Sequence, residues 1–206
     1  MIAVVLATHN PGKVAEYARL LGDLPVEIRS LAEHPGYEAP PEDGETFDDN
    51  ARIKALAAAR ATGMPAIADD SGLCVDALGG APGVRSARYG GPGKSDADRC
   101  EHLLDALAGV PAEERKAHFA CVIAVALPGG QADTVGGRCD GHIRAGARGG
   151  GGFGYDPLFV PEGETLTFAE LPPAHKDRIS HRGDAAVGLP RLLSRILDLA
   201  KGGDLL

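Results

Sequence analysis

Short β-rich apolar runs alternate along this chain with segments of helical periodicity, and this alternation restricts the fold more than any other feature. The run IAVVLA, residues 2–7, is followed by GKVAEYARLLG, residues 12–22, in which apolar side chains recur at helical spacing. A second strand candidate, VEIRSL, occupies residues 26–31. Strands that alternate with helices predict an α/β fold with a mixed β-sheet flanked by helices. The chain has no internal repeat.

Capping signals and turns place the remaining elements. A Thr or Ser followed three residues later by Asp predicts helices that begin after Thr46 and Ser95 and end near Gly63 and Gly109. Two β-rich runs around a Pro-Gly-Gly turn predict a hairpin over 117–139, and therefore an antiparallel part of the sheet. A short strand is expected after RAGARGGGGFGYDP, and a last helix from about residue 184 to residue 201.

Length, charge and hydropathy limit the kind of protein. The 206 residues suit a single domain, 1–206, and the net charge of −8 argues against a surface that binds nucleic acid. No run approaches 18 apolar residues, and the start MIAVVLATHN lacks a basic segment. We therefore expect no membrane association and a cytoplasmic location. With no C-x-x-C pair, the cysteines are expected to be buried, reduced thiols: Cys74, Cys100, Cys121 and Cys139.

Two adjacent carboxylates, Asp69 and Asp70, lie between apolar runs in AIADDSGLCV, residues 66–75. Because side chains alternate faces along a strand, we expect the strand to end at these acids, with Gly72 supplying a turn before a second strand over LCVDAL. Acidic groups at such an edge either cap a turn or hold a divalent cation.

Three Gly-rich stretches resemble nucleotide-binding motifs. GGPGKS lacks the first glycine of a P-loop and no strand leads into it, and GGGGFG is followed by Tyr-Asp-Pro rather than by a helix. Only ATHNPGK, residues 7–13, lies between a strand and a helix. Its backbone N–H groups and Lys13 would cradle a phosphate, although an ordinary turn capped by Asn10, with a solvated lysine, is the alternative.

Polar residues around the Ala-rich helix suggest a metal site. Asn50 and Lys54 share one face of that helix, Glu42 and Glu45 precede it, and the Asp69–Asp70 pair follows it. Carboxylate oxygens of this kind select Mg²⁺, whereas a surface ion pair is the alternative.

Five motifs in register resemble the inosine triphosphate pyrophosphatase family, the HAM1-like enzymes, and in particular its bacterial branch of XTP/dITP diphosphatases. The resemblance runs from Val4 to about Ala186. Its motifs are ATHNPGK, EDGETFDDNARIKA, ADDSGLCVDALGGAPGVRSARY, GGFGYDPLF and HKDRISHRGDA.

This resemblance implies an elongated, two-lobed α/β fold with the nucleotide in a central cleft. It also implies a homodimer and Mg²⁺-dependent hydrolysis of ITP, dITP and XTP to the monophosphate and pyrophosphate. Such an enzyme removes deaminated purines from the nucleotide pool.

The family's functional positions carry over to this sequence. The resemblance implies Asp70 as the proton acceptor and Glu42 and Asp70 as metal ligands. From the chemistry of the residues, Lys54 is a further predicted catalytic residue that neutralises phosphate charge, and Asp70 either accepts the proton of water or holds a metal that acidifies it. Asp69 is a further predicted metal ligand, with a turn-capping carboxylate as the alternative. The predicted substrate-binding residues are Thr8, His9, Asn10, Pro11, Gly12, Lys13, Ser71, Phe153, Gly154, Tyr155, Asp156, Lys176, His181 and Arg182. Two departures occur: His9 stands at a variable position, and Asp49 stands where a Glu is usual.

The chemistry of purines gives roles to the late residues. Hypoxanthine and xanthine present an acceptor O6 and a donor N1–H, whereas adenine presents the reverse, so donors from His181 and Arg182 would select the former. Asp156 could accept from N1–H and Phe153 could stack on the ring. Without the motifs, a core phenylalanine and a solvated helix end would be the ordinary interpretations.

Three other functions are alternatives. Maf-like pyrophosphatases share a similar fold but begin with a Ser-x-Ser-Pro-Arg-type motif that this chain lacks. A nucleotide sensor without activity would be expected to lose the carboxylates or Lys54, which are present. A phosphomonoesterase would release orthophosphate rather than pyrophosphate.

Overall fold

A mixed six-stranded sheet organises the part of the chain that the computed structural model describes, which comprises residues 2–22, 24 and 26–202. The strands are β1 Ile2–Leu6, β2 Val26–Ser30, β3 Ala66–Val75, β4 Lys116–Ala126, β5 Ala132–Ile143 and β6 Phe159–Pro161. The helices are α1 Pro11–Leu20, α2 Phe47–Thr62, α3 Asp96–Ala106, α4 Pro173–Ile179 and α5 His181–Gly202.

The sheet has the strand order β2-β1-β3-β4-β5-β6. β1 pairs in parallel with both β2 and β3, and β5 pairs antiparallel with β6. Only residues 127–131 connect β4 to its neighbour β5. A parallel pair would need a crossover of a dozen residues or more, so this connection is the predicted hairpin. The mixed sheet predicted from the sequence is thereby confirmed.

The chain divides into two compact units. Unit 1 comprises Met1–Asp70, Cys121–Gly137 and Ala185–Leu206, and unit 2 comprises Ser71–Ala120 and Arg138–Asp184. Strands β3, β4 and β5 and helix α5 each contribute residues to both units.

The core of unit 1 lies on both faces of its strands. Val4, Leu6 and Ile67 pack with side chains of α1 and α5, whereas Val5 and Ala66, one position away, pack with the alanines of α2. This alternation follows from the period-two geometry of strands. Alanine lets α2 approach the sheet closely, which places the polar residues of α2 near the strands.

Unit 2 has an aromatic core. The rings of Phe119 and Phe159 meet edge to face with centroids 4.8 Å apart, and Phe168 packs against both. Leu103 and Leu107, at the end of α3, are fully buried in the same cluster.

Local signals predicted the starts of α2 and α3 correctly. Thr46 Oγ1 accepts from Asp49 N at 3.1 Å in a complete capping box, and Gly63, with φ of +68°, ends α2. Ser95 caps α3 in the same way, although α3 ends at Ala106, before Gly109. The cysteines are all free, as predicted, and Cys100, Cys121 and Cys139 are buried, whereas Cys74 is only half-buried. Of the helices in the described ranges, none combines the length and the hydropathy that crossing a membrane requires.

The C-terminal helices differ from the prediction. α4 was not predicted, and α5 begins at His181 rather than near residue 184. Ser180 explains the earlier start, because its Oγ accepts from Gly183 N–H at 3.1 Å and caps the helix.

The predicted turn at Gly72 is wrong. β3 is one strand from Ala66 to Val75, and the second strand expected over LCVDAL is its second half followed by a 3₁₀ turn. Asp69 and Asp70 therefore lie inside a strand and are 3% and 6% exposed. The strand need not turn to bring these acids to water, because each carboxylate is paired with a lysine.

Candidate active site

Asp69 and Asp70 contact different lysines because they lie on opposite faces of β3. Lys13 Nζ, from the first turn of α1, is 2.9 Å from Asp69 Oδ2. Lys54 Nζ, from α2, is 2.7 Å from Asp70 Oδ1. The adjacent acids are thus separate parts of one buried polar cluster in unit 1, rather than a turn cap.

Lys54 also bonds Glu42, so one ammonium group joins two carboxylates. Its Nζ is 3.0 Å from Glu42 Oε1, and its side chain is 13% exposed. Burial alone would lower the pKa of Lys54, but the negative charges of Asp70, Asp69 and Glu42 outweigh it and raise this pKa. Lys54 is therefore a fixed positive charge at neutral pH.

Burial raises the pKa of Asp70 above its ordinary value. The positive charges of Lys54 and Lys13 act in the opposite direction, while Glu42 adds to the rise. A carboxylate with a raised pKa is a better proton acceptor than an ordinary aspartate.

Asn50 belongs to the same cluster, although the sequence assigned it no role at the site. It is fully buried, and its Nδ2 donates to Asp70 Oδ2 at 3.3 Å. Its spacing of four residues from Lys54 was the available signal. That spacing could not tell which side chain the amide would meet.

The turn between β1 and α1 has the predicted geometry. Pro11 occupies the first turn of α1, and Asn10 caps it by accepting from Lys13 N at 3.1 Å. Thr8 Oγ1 accepts from Asn10 N at 3.2 Å, and His9 is exposed. The cap is the one expected of an ordinary turn, but Lys13 is not a solvated lysine, since its ammonium group bonds a buried carboxylate.

The donor set of unit 1 suits a Mg²⁺ ion that is only partly held by protein. In the described part of the chain, no group of three or more His, Cys, Asp or Glu side chains could hold a metal ion. Glu42 and Asp70, however, bring two carboxylates to one ammonium group. Mg²⁺ in nucleotide sites typically takes one or two carboxylates and completes its shell with phosphate and water oxygens.

A second polar cluster lies in unit 2 and contains the predicted base-binding residues. Lys176 Nζ is 2.5 Å from Asp156 Oδ2, and both side chains are almost fully buried. Phe153 N donates to the same oxygen at 2.9 Å, and Lys176 Nζ lies 5.0 Å from the centre of the Phe153 ring. Gly152 permits this turn, since an added Cβ would meet Asp156 Oδ2 at 2.0 Å.

Arg182 and His181, at the start of α5, belong to this cluster and are not a solvated helix end. Arg182 is 1% exposed, and its Nη2 donates to Ser71 Oγ at 2.8 Å. Its guanidinium carbon lies 5.7 Å from the centre of the Phe153 ring. The His181 ring stacks on Phe119, with centroids 4.7 Å apart and planes 12° apart.

Gly154 and Tyr155 have structural contacts within unit 2. Gly154 N donates to Asp96 Oδ2 at 2.7 Å, and Tyr155 is 3% exposed, with its hydroxyl donating to Ser86 O at 2.9 Å. These bonds fix the loop that carries Phe153 and Asp156.

Comparisons with known proteins agree over nearly the whole chain. Residues 4–191 match the model of the Ham1 family. The dITP/XTP pyrophosphatase of Desulfotalea psychrophila is 55% identical over 182 residues, which are 88% of this chain and 81% of that protein. The protein of the same name from Bacillus subtilis is 46% identical over 193 residues, which are 94% of this chain and 98% of that protein.

Solved structures support the same relationship. A HAM1 protein from Coxiella burnetii has a TM-score of 0.85 and 42% identity, covering 95% of this chain and 100% of that chain. A nucleoside-triphosphatase, or dITP/XTP pyrophosphatase, from Mycobacterium abscessus has a TM-score of 0.74 and 46% identity, covering 91% of this chain and 98% of that chain. The predicted α/β class, a mixed sheet flanked by helices, is confirmed.

Proposed function

The chain belongs to the Ham1 family, and on that premise we propose that it hydrolyses non-canonical purine nucleoside triphosphates, namely ITP, dITP and XTP. The products are the nucleoside monophosphate and pyrophosphate, and the reaction removes deaminated purines from the nucleotide pool. The proposal is carried by the buried cluster in which Lys54 joins Glu42 to Asp70.

The unit 1 cluster supplies groups for phosphate binding and proton transfer. A triphosphate is a poor electrophile until its negative charge is neutralised. Thr8 to Lys13 would bind the phosphates through the first N–H groups of α1 and through Lys13, and Lys54 adds a second ammonium group. Asp70, whose pKa is raised by burial, would accept the proton of the attacking water.

Charge balance favours a divalent cation at this cluster. Two lysines face three carboxylates, so the ionised cluster is negative before an anionic substrate arrives. We propose that Glu42 and Asp70 hold Mg²⁺. Asp69, the third predicted ligand, faces the other side of β3 and bonds Lys13, and no group of three such side chains occurs in the described residues, so it is not included among the ligands. When bound, Mg²⁺ would supply positive charge to the phosphate oxygens.

The unit 2 cluster carries groups suited to a purine. Arg182 and His181 offer N–H groups for the O6 acceptor of hypoxanthine and xanthine, and Phe153 offers a ring face. Asp156 would accept from N1–H, and Lys176 holds its carboxylate in place. Adenine presents the reverse pattern and would leave these buried groups unpaired, which gives discrimination of about 10⁴ in sites of this kind.

Membership of the Ham1 family is also the basis for proposals on assembly, location and partners. We infer a homodimer that works in the cytoplasm on free nucleotides, without a nucleic-acid or membrane partner, and a single two-lobed domain over residues 1–206.

A substrate panel tests the proposal. With Mg²⁺, the protein should release pyrophosphate rapidly from ITP, dITP and XTP and slowly from GTP and ATP. Chelation by EDTA should stop the reaction, and added Mg²⁺ should restore it. Release of orthophosphate instead of pyrophosphate, or equal rates with ATP and ITP, would contradict the proposed function.

A further inference from the structure

Asn50 is a buried polar side chain of unit 1 to which the proposed function gives no role. It is 0% exposed and lies on α2 beside the alanines that pack against the sheet. Burying an amide in such a place is unfavourable unless both of its ends are hydrogen-bonded. The partners of the two ends therefore indicate why an asparagine stands here.

Both ends of the Asn50 amide are bonded, and to different segments. Nδ2 donates to Asp70 Oδ2 at 3.3 Å, and Oδ1 accepts from Gly44 N at 2.9 Å. Only one orientation of the amide satisfies both partners, because the carboxylate accepts and the backbone N–H donates. Asn50 thus joins the acid of β3 to the segment that precedes α2.

Lys54, one helical turn later, makes a parallel connection between the same segments. Its ammonium group bonds Asp70 Oδ1 and Glu42 Oε1. Each oxygen of the Asp70 carboxylate therefore has its own donor, Lys54 for Oδ1 and Asn50 for Oδ2. Two donors on two oxygens restrict rotation of the carboxylate about its Cβ–Cγ bond.

Gly44 is required by this contact. A Cβ added at Gly44 would lie 2.7 Å from Asn50 Oδ1 and 2.6 Å from Asp49 Cβ. Any side chain here would push the segment away from α2, and Glu42 would move with it.

We propose that Asn50 is a positioning residue that holds the Glu42 segment and the Asp70 carboxylate in one fixed arrangement. The two acids that would bind Mg²⁺, one of them the proton acceptor, are then aligned before the nucleotide arrives. The inference rests on the proposed function of this site. Loss of a group that orients a metal ligand typically costs 10–100-fold in activity or metal affinity, which sets the expected size of the effect at about 10–100-fold.

Two substitutions of Asn50 separate its contacts. Asn50→Asp keeps an acceptor for Gly44 N–H but removes the donor to Asp70 and places a second carboxylate against it. Asn50→Leu removes both contacts. Both variants should lower kcat for dITP by about 10–100-fold. KM for dITP should change by less than about threefold, because the phosphate and base contacts are untouched.

Gly44→Ala disrupts the contact between Gly44 and Asn50 without changing a residue of the core. It should reproduce the loss of kcat even if an Asn50 variant folds poorly. Ala58→Gly, farther along α2, is the control for a weakened helix, since it should lower thermal stability and leave kcat within about twofold.

Backbone hydrogen exchange at Gly44 gives a readout that does not depend on activity. The Gly44 amide should be protected in the unaltered protein and in Asn50→Asp, and should exchange at least about 10-fold faster in Asn50→Leu. Protection retained in Asn50→Leu, or an Asn50→Leu kcat no lower than that of Ala58→Gly, would overturn the inference.

The proposed function can fail separately. It fails if the unaltered protein hydrolyses none of ITP, dITP and XTP. The exchange measurement would still decide whether Asn50 holds the Gly44 segment.

Discussion

Asp70 differs from its neighbour Asp69 in having two donors from one helix. Lys54 and Asn50 of α2 both bond it, whereas Asp69 bonds Lys13 of α1. Strand alternation alone produces this difference, because adjacent residues of β3 face opposite sides. The two acids should consequently respond differently to substitution.

Asp70→Asn should reduce kcat by about 10² or more, because it removes both the proton acceptor and a carboxylate of the proposed Mg²⁺ site. Pyrophosphate release from saturating dITP with Mg²⁺ measures the effect. Asp43→Asn, the same change at an exposed position near Glu42, is the matched control and should stay within about twofold. Normal turnover in Asp70→Asn would remove Asp70 from the mechanism.

Arg182→Gln should narrow the preference for ITP over ATP, because fewer N–H groups would then face the purine O6. The ratio of kcat/KM for the two nucleotides should fall by about 10-fold or more. Arg178→Gln, an exposed arginine on α4, is the control and should leave the ratio unchanged. An unaltered ratio in Arg182→Gln would mean that other groups select the base.

At the scale of elements, the capping box of α2 gives Asp49 a structural role. Its Oδ2 accepts from Thr46 N at 3.0 Å and from Thr46 Oγ1 at 2.7 Å. The short side chain of Asp49 is therefore sufficient to close the box.

Thr46→Ala should lower the free energy of unfolding by about 1 kcal/mol, because it leaves an N–H group of the first turn of α2 without its acceptor. Urea denaturation followed by circular dichroism measures the change. Thr165→Ala, at an exposed threonine outside the helices, should change the stability by less than about 0.5 kcal/mol. Equal effects of the two variants would contradict the capping role.

The cysteines in the interiors of elements should be unreactive. Burial is the main cause that raises the pKa of Cys100 to about 11 and that of Cys139 to about 12. At pH 8 neither thiol should react with DTNB in the native protein, and both should react in urea. Mass spectrometry of the labelled peptides distinguishes them, and rapid native labelling of either would contradict its burial.

The same shifts predict a loss of stability in alkali. The folded state holds the thiol protons more tightly than the unfolded state, whose thiols titrate near pH 8.5. Stability is therefore retained below about pH 8.5 and declines as the pH rises toward the folded values.

Sequence patterns predicted the elements whose signals are local. The caps at Thr46 and Ser95 fixed two helix starts, since a cap depends on residues three apart. α4 was missed because its seven residues, PAHKDRI, are too few and too polar to show an apolar period. The continuity of β3 could not be predicted, because Lys13 and Lys54, which satisfy its acids, are distant in sequence.

The sequence also predicted part of the candidate site. Family motifs identified Lys54 and Asp70, and the structure places them in contact. The bridge from Gly44 through Asn50 to Asp70 could not be predicted, because no spacing rule relates three segments that meet only in the folded chain. The individual substrate-binding roles stay predictions.

At the scale of the whole molecule, the net charge of −8 repels an anionic nucleotide, so binding must depend on cationic groups at the site itself. Both polar clusters place cations where the rest of the chain is acidic, Lys13 and Lys54 in unit 1 and Lys176 and Arg182 in unit 2. Selective binding then depends on these few positions rather than on long-range attraction.

The assembled protein should be a dimer. Light scattering coupled to size exclusion should give twice the 21.2 kDa mass of one chain. The mass should stay constant on dilution over the range of about 100 to 1 μM, as expected for a stable homodimer. A single-chain mass throughout that range would contradict the proposed assembly.

Strand β3 supplies residues to both units, and this constrains how the gene can change in length. Deleting one residue of β3 ahead of Asp69 would move every later side chain of this strand to the opposite face of the sheet. Asp70 would then face Lys13, Asp69 would face Lys54, and Leu73 would leave the core of unit 2. Insertions and deletions that survive selection should therefore fall in exposed connections such as residues 92–94, before α3, and not inside 66–75.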